Sequence, residues 1–135
     1  MRLLVALCLG LVFVGCRAPE RVTIGWQDDV PKALAESKET GKPVMLTFWQ
    51  EGCPSCEKLD AKTFTDEEVQ AHLRWVIPVS VDINSAKGKE LAKKYTVYAT
   101  PKVVFVNAEG ERLRSVLGYV NAEDMVFSLQ QVAKP

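Results

Sequence analysis

The chain has 135 residues, with 17 basic and 17 acidic side chains and a formal net charge of zero. That balance offers no electrostatic footprint for nucleic acid or for an acidic membrane surface. The length suits a single domain built around one core.

The N-terminus reads as a leader. Arg2 supplies a positive charge and residues 3–14 are almost wholly apolar. That run is too short to cross a bilayer, which takes about 20 residues, so it fits a secretory signal. It ends Phe13-Val14-Gly15-Cys16. A small residue before a cysteine, after an apolar stretch, resembles a bacterial lipobox, with Phe13 where Leu is usual. The expectation is a signal peptide over 1–15, an acylated Cys16 with a linker over 16–21, and one domain over 22–135. Acylation tethers a protein without a spanning helix. Arg17 stands where an Asp would retain a lipoprotein at the inner membrane, which favours the outer membrane in a cell that has two. Cys8 reads as a small apolar member of the leader.

In the domain, residues 22–26 alternate weakly and read as an edge strand. Asp28 or Asp29 caps a helix to about residue 40, with Ala33, Leu34 and Ser37 on its inner face and Gly41 just past its end. Residues 43–49 are apolar, β-branched and aromatic, and predict a buried strand. Gly52 and Pro54 break it. A helix over about 54–61 comes next, carrying Cys56 and Leu59. Thr65-Asp66-Glu67-Glu68 reads as a capping box for a short helix through Val69 and Leu73. A strand is expected over 75–83, then a helix over 85–95 with Leu91 and Ala92 inward. Lys87, Lys89, Lys93 and Lys94 form its solvated face. Residues 102–106 and 112–117 form a hairpin about the turn 107–110. Asn121 caps a last helix with Met125, Leu129 and Val132 inward. The order β-α-β-α-β-α-β-β-α predicts an α/β fold. Its first part implies parallel strands with right-handed crossovers, and its end an antiparallel hairpin. The sheet is mixed and covered by helices on both faces.

The chemistry lies in Trp49-Gln50-Glu51-Gly52-Cys53-Pro54-Ser55-Cys56. This segment is a strand-to-helix junction, with Cys53 at the helix N-terminus. Unpaired N–H groups and the helix dipole there favour a thiolate, and C-x-x-C motifs lower a cysteine pKa from ~8.5 to ~3.5–7.5. Cys53 is the expected nucleophile and Cys56 the resolving thiol. Two other readings of the pair exist. Half of a zinc site needs two further ligands, and outside the leader only His72 is a candidate. A purely structural bridge gains little from closing so short a loop. A lone thiol pair beside an acylated Cys16 fits an oxidising compartment outside the cytoplasm.

The motif Phe48-Trp49-x-x-x-Cys53-x-x-Cys56, with Thr100-Pro101 ahead of the hairpin, resembles the thioredoxin superfamily over about residues 22–132. Gly41-Lys42-Pro43-Val44, Glu57-Lys58-Leu59, Thr63-Phe64-x-Asp66-x-x-Val69, Lys89-Glu90-Leu91-Ala92-Lys93-Lys94-Tyr95 and Leu117-Gly118-Tyr119 strengthen the likeness to periplasmic thioredoxin-like proteins. The layout is similar to the C-terminal catalytic domain of the disulfide reductase DsbD. The resemblance implies a thioredoxin fold, a cis Pro101 facing the disulfide, and Thr100 pairing through its backbone with an extended substrate segment. It implies that Trp49 and Pro54 belong to the substrate face, Trp49 also filling core. Two residues depart from thioredoxin. Thr47 replaces a buried Asp that assists the second cysteine, leaving water, Glu51 or Glu57 to handle the proton. Gly52 replaces a Trp before the first cysteine, so the substrate face is less bulky. His72 reads as an ordinary residue of an amphipathic helix.

The expected function is a membrane-tethered thiol–disulfide oxidoreductase, leaning to reductase because no DsbA-like helical insertion is present. It would need no cofactor beyond the Cys53–Cys56 disulfide and no metal. It would act as a monomer on protein disulfides and draw on an upstream thiol donor. The competing class is a non-catalytic binding module or metallochaperone on the same fold, although no Met-rich or His-rich tract supports copper.

Overall fold

The computed structural model describes residues 24–133. The expected leader, Cys16 and the linker lie outside the described residues.

Helix α1 (Val30–Thr40) starts where Asp29 accepts a hydrogen bond from the Lys32 N–H, and it closes on Gly41 in the left-handed conformation. Strand β1 (Val44–Trp49) comes next, with its first five residues buried. After it the chain forms α2 (Pro54–Lys58), a π-helical turn (Leu59–Thr63), α3 (Glu67–Leu73), β2 (Ile77–Asp82) and α4 (Ala86–Lys94). The hairpin β3 (Lys102–Val106) and β4 (Arg112–Leu117) leads to α5 (Ala122–Val132), capped by Asn121.

The sheet order is β2-β1-β3-β4. β1 runs parallel to β2 and antiparallel to β3, and β3 pairs antiparallel with β4. The alternation of β1 splits the core in two. Val44, Leu46 and Phe48 face Val30, Ala33 and Tyr95, with Leu34, Leu91 and Ala92 packed alongside. Met45, on the opposite face, meets Leu59, Phe64, Val69, Leu73, Met125 and Leu129. Thus α1 and α4 cover one face, and α2, α3 and α5 the other. Fully burying each such side chain contributes about 1.5–3 kcal/mol. A strand held at the centre of both layers gives the cysteine motif, which begins at its C-terminal end, a fixed point of departure.

Three local expectations change. Residues 24–26 form no strand. The Trp26 N–H turns back to the Ile24 carbonyl, the Trp26 ring packs edge-on against Phe64, and only Gln27 bridges to Val79. The cap of α3 is Asp66, not Thr65. The Asp66 carboxylate accepts from the Glu68 and Val69 N–H groups, while the Thr65 hydroxyl donates to the Ala61 carbonyl. The helix after the motif is regular only to Lys58. It then widens, and the Phe64 N–H donates to the Leu59 carbonyl five residues back. The buried Thr63 hydroxyl, which donates to the Val120 carbonyl, holds this wider turn against the start of α5.

Candidate functional site

β1 ends at Trp49, and a turn through Gly52 (φ +70°) delivers Cys53 to the N-cap of α2. A positive φ suits glycine, which has no Cβ to clash. Pro54 occupies the first helical turn, where a missing N–H costs nothing. One helical turn on, Cys56 closes a disulfide with Cys53, their Cα atoms 5.2 Å apart. Both cysteines are buried.

Two donors converge on Cys53. The Cys56 backbone N–H lies 3.2 Å from its sulfur, and the Thr100 hydroxyl donates to it over 3.4 Å. Hydrogen bonds to the charged form favour that form, so a thiolate at Cys53 is met by donors already in place. Cys56 faces the other way, into a cavity of about 660 Å³ whose wall includes Thr47, Trp49, Leu59, Asp60, Ser80 and Pro101. Burial alone therefore does not separate the two cysteines; their hydrogen-bond surroundings do.

The Thr100–Pro101 peptide is cis, with Pro101 buried and Thr100 half-buried. The Gly118 N–H donates to the Pro101 carbonyl over 2.7 Å, fixing this corner to the end of β4. Trp49 does not fill core as expected: it ends β1 exposed and outside both core clusters, its indole N–H donates to the Ser80 hydroxyl over 2.7 Å, and it lines the cavity beside Cys56. Pro54 is exposed on the outer side of the disulfide turn. Cys53, Cys56, Thr100, Pro101, Trp49 and Pro54 thus surround a single redox centre.

Thr47 is buried, and its hydroxyl finds no hydrogen-bond partner among the described residues. Glu51 and Glu57 are both exposed. The residue that sequence reading missed is Asp60. It is exposed overall, like Glu51 and Glu57, but unlike them it lines the same cavity as Cys56 and Thr47, and desolvation on that side pushes its carboxyl above the usual carboxylate range. A raised pKa makes a carboxylate a better proton acceptor near neutrality. His72 lies elsewhere. Its Nδ1 bonds the Glu68 carbonyl and its Nε2 meets Gln130, tying α3 to α5.

A cysteine pair that opens and closes against another disulfide, carried on this mixed sheet, defines a thiol–disulfide oxidoreductase of thioredoxin type. The chain belongs to the thioredoxin-like domain family, whose pattern its residues 30–133 match. Among curated proteins it is 32% identical over 106 residues to the thiol:disulfide interchange protein DsbD of Ralstonia nicotianae, covering 76% of this chain and 17% of that protein. The DsbD of Yersinia enterocolitica is 34% identical over 113 residues, covering 78% of this chain and 19% of the relative. The chain therefore spans less than a fifth of these relatives. Among solved structures, a thioredoxin from Thermus thermophilus aligns with TM-score 0.72 and 30% identity, over 82% of this chain and 88% of that one. The reduced C-terminal domain of Neisseria meningitidis DsbD aligns with TM-score 0.66 and 27% identity, over 74% and 90% of the two chains.

Proposed function

We propose that this protein reduces protein disulfides outside the cytoplasm, held at a membrane by an acylated Cys16. The observation that carries the catalytic part is the asymmetry of the pair: donors meet Cys53, while Cys56 faces a cavity holding a carboxylate. Likeness to the C-terminal domain of the interchange protein DsbD supports thiol–disulfide exchange, whose direction the reduction potential sets. In the reduced state the Cys53 thiolate attacks one sulfur of a partner disulfide. A Cys53–partner bond forms, and the other partner sulfur leaves as thiolate. Cys56 then loses its proton and attacks the Cys53 sulfur, releasing the first partner sulfur. Two electrons pass to the partner and the Cys53–Cys56 disulfide remains, to be reduced by an upstream thiol donor. The pair is the whole redox apparatus, with no further cofactor. Asp60 takes the Cys56 proton in place of the acid that Thr47 does not provide. Arg17 after Cys16 favours the outer membrane where a cell has two.

Redox titration in glutathione buffers tests the direction. The expected midpoint lies closer to the ~−270 mV of thioredoxin than to the ~−120 mV of a strong oxidant. A value near the latter would make the protein an oxidant. The proton route is read from the rate at which Cys56 resolves a Cys53 mixed disulfide. Asp60→Asn should slow it several-fold at pH 7. The wild-type advantage should vanish as pH falls through the raised Asp60 pKa, because a protonated carboxyl accepts nothing. It should also vanish at alkaline pH, where Cys56 ionises unaided. Equal rates at every pH would remove Asp60 from the proton route.

The anchor is tested separately. No described helix is long and apolar enough to cross a membrane. Two or more acyl chains give firm anchoring. Cells fed an alkyne fatty acid should label the wild type and not Cys16→Ser. An unlabelled wild type would remove the tether and leave the oxidoreductase untouched.

A further inference from the structure

Tyr98 is the most exposed large hydrophobic residue among those described, at 91% of its surface. Tyr95, three residues earlier, is buried and donates to the Gly110 carbonyl, and Tyr119 is covered by the Lys58 ammonium. Tyr98 sits in the connection from α4 to β3, two residues before the Thr100 that touches the Cys53 sulfur.

That connection is braced. The Val97 N–H donates to the Ala92 carbonyl over 2.7 Å, and the Val97 side chain is buried. The Lys102 ammonium donates to the Thr96 carbonyl over 2.8 Å and to the Tyr95 carbonyl over 3.4 Å. Thr96 has φ +57°, a conformation β-branched residues rarely adopt. The surroundings thus enforce a strained residue whose effect is to turn Val97 inward and Tyr98 outward. Strain of this kind gathers at functional sites. Leu117, 64% exposed, stands opposite Lys102 on β4, next to the Gly118 that bonds Pro101. Tyr98 and Leu117 are therefore bare apolar side chains on the two segments that meet at Thr100–Pro101.

We infer that Tyr98 is a specificity-determining contact for the protein partner. It receives an apolar side chain close to the reacting cysteine of an extended segment laid along Thr100. This rests on the oxidoreductase reading and goes beyond it by naming the partner's chemistry: an exposed cysteine flanked by an aliphatic or aromatic residue. Rigid tyrosines with an open face are frequent anchors at interfaces. The backbone here is already fixed, so little ordering cost opposes binding.

The test uses the full chain, first reduced with dithiothreitol and desalted so that Cys53 and Cys56 are thiols, and short peptides whose single cysteine is blocked as a mixed disulfide with 5-thio-2-nitrobenzoate. Attack by Cys53 on the peptide sulfur expels the coloured thiolate. Two peptides differ only in carrying Leu or Glu two residues from the cysteine, and the free dimeric nitrobenzoate disulfide normalises each variant for Cys53 reactivity. The wild type should favour the Leu peptide by about tenfold, the scale of a tyrosine anchor. Tyr98→Ser should bring the ratio close to one, Tyr98→Phe should keep it, and Leu113→Ser, at the far end of β4, should leave it unaltered. An unaltered ratio in Tyr98→Ser, or no preference in the wild type, overturns the inference while the oxidoreductase stands. A wild type unreactive towards all three disulfides overturns both.

Discussion

Cys56→Ser should turn the protein into a trap. Exchange passes through a mixed disulfide, and without the second thiol that intermediate has no internal route of release. Non-reducing gels of cells expressing Cys56→Ser should show adducts that collapse with reductant, and Cys53→Ser should show none. Turnover of a protein disulfide should fall by on the order of 10³ or more in both variants, as when a covalent nucleophile is removed. The geometry sets this asymmetry. The Cys53 sulfur has the Cys56 N–H at 3.2 Å and the Thr100 hydroxyl at 3.4 Å, whereas Cys56 lies one turn along, against the cavity. In the reduced protein, iodoacetamide should accordingly label Cys53 well before Cys56. Adducts on Cys53→Ser alone, with faster labelling of Cys56, would exchange the two roles.

Where the chain speaks through local chemistry, the sequence is readable. The hairpin strands 102–106 and 112–117 fall where alternation and the Asn107–Gly110 turn place them. Asp29, Asn121 and Gly41 act as the caps their residue types imply. The thiol pair stands at its strand–helix junction, and Thr100 and Pro101 arrive beside it although 47 residues separate Thr100 from Cys53. The hidden features depend on distant partners. Thr65 and Asp66 are both good caps, and the choice turns on Thr65 finding the Ala61 carbonyl instead. The π turn is pinned where the Thr63 hydroxyl bonds the Val120 carbonyl across the fold, and no local pattern announces such a pin. Asp60 reads as one more solvated acid in a helix. Only when residues as far apart as Trp26, Thr47 and Ser80 assemble a cavity wall does its carboxyl come to share a space with Cys56.

Gly88→Ala should be among the most destabilising single changes available outside the apolar core. By sequence the substitution looks favourable, because alanine exceeds glycine in helix interiors by about 1 kcal/mol. The fold reverses that sign. An alanine Cβ at residue 88 would lie 1.8 Å from the Asp82 carbonyl oxygen, 2.7 Å from its carbon and 2.8 Å from the Ser85 hydroxyl. Two of these atoms are backbone at the end of β2, so no side-chain rotation relieves the overlap. The same atoms anchor the start of α4. The Ser85 hydroxyl donates to the Asp82 carbonyl over 2.8 Å and accepts from the Gly88 N–H over 2.9 Å. Asp82 is the register partner of Trp49, and the Ile83 N–H donates to the Trp49 carbonyl. A new methyl must therefore lift α4, break its cap, or displace the strand end beside the redox motif. Overpacking of this kind costs about 1–3 kcal/mol and occasionally more. A rigid clash this deep belongs at the upper end, leaving a net loss of about 2 kcal/mol after the propensity gain. Urea unfolding should show a lower midpoint with an unchanged slope, the signature of altered stability without altered compactness. A midpoint equal to or above that of the wild type would mean that α4 does not sit this close to Asp82. The brace that sets Thr96 and presents Tyr98, which begins at the far end of the same helix, would then need another footing.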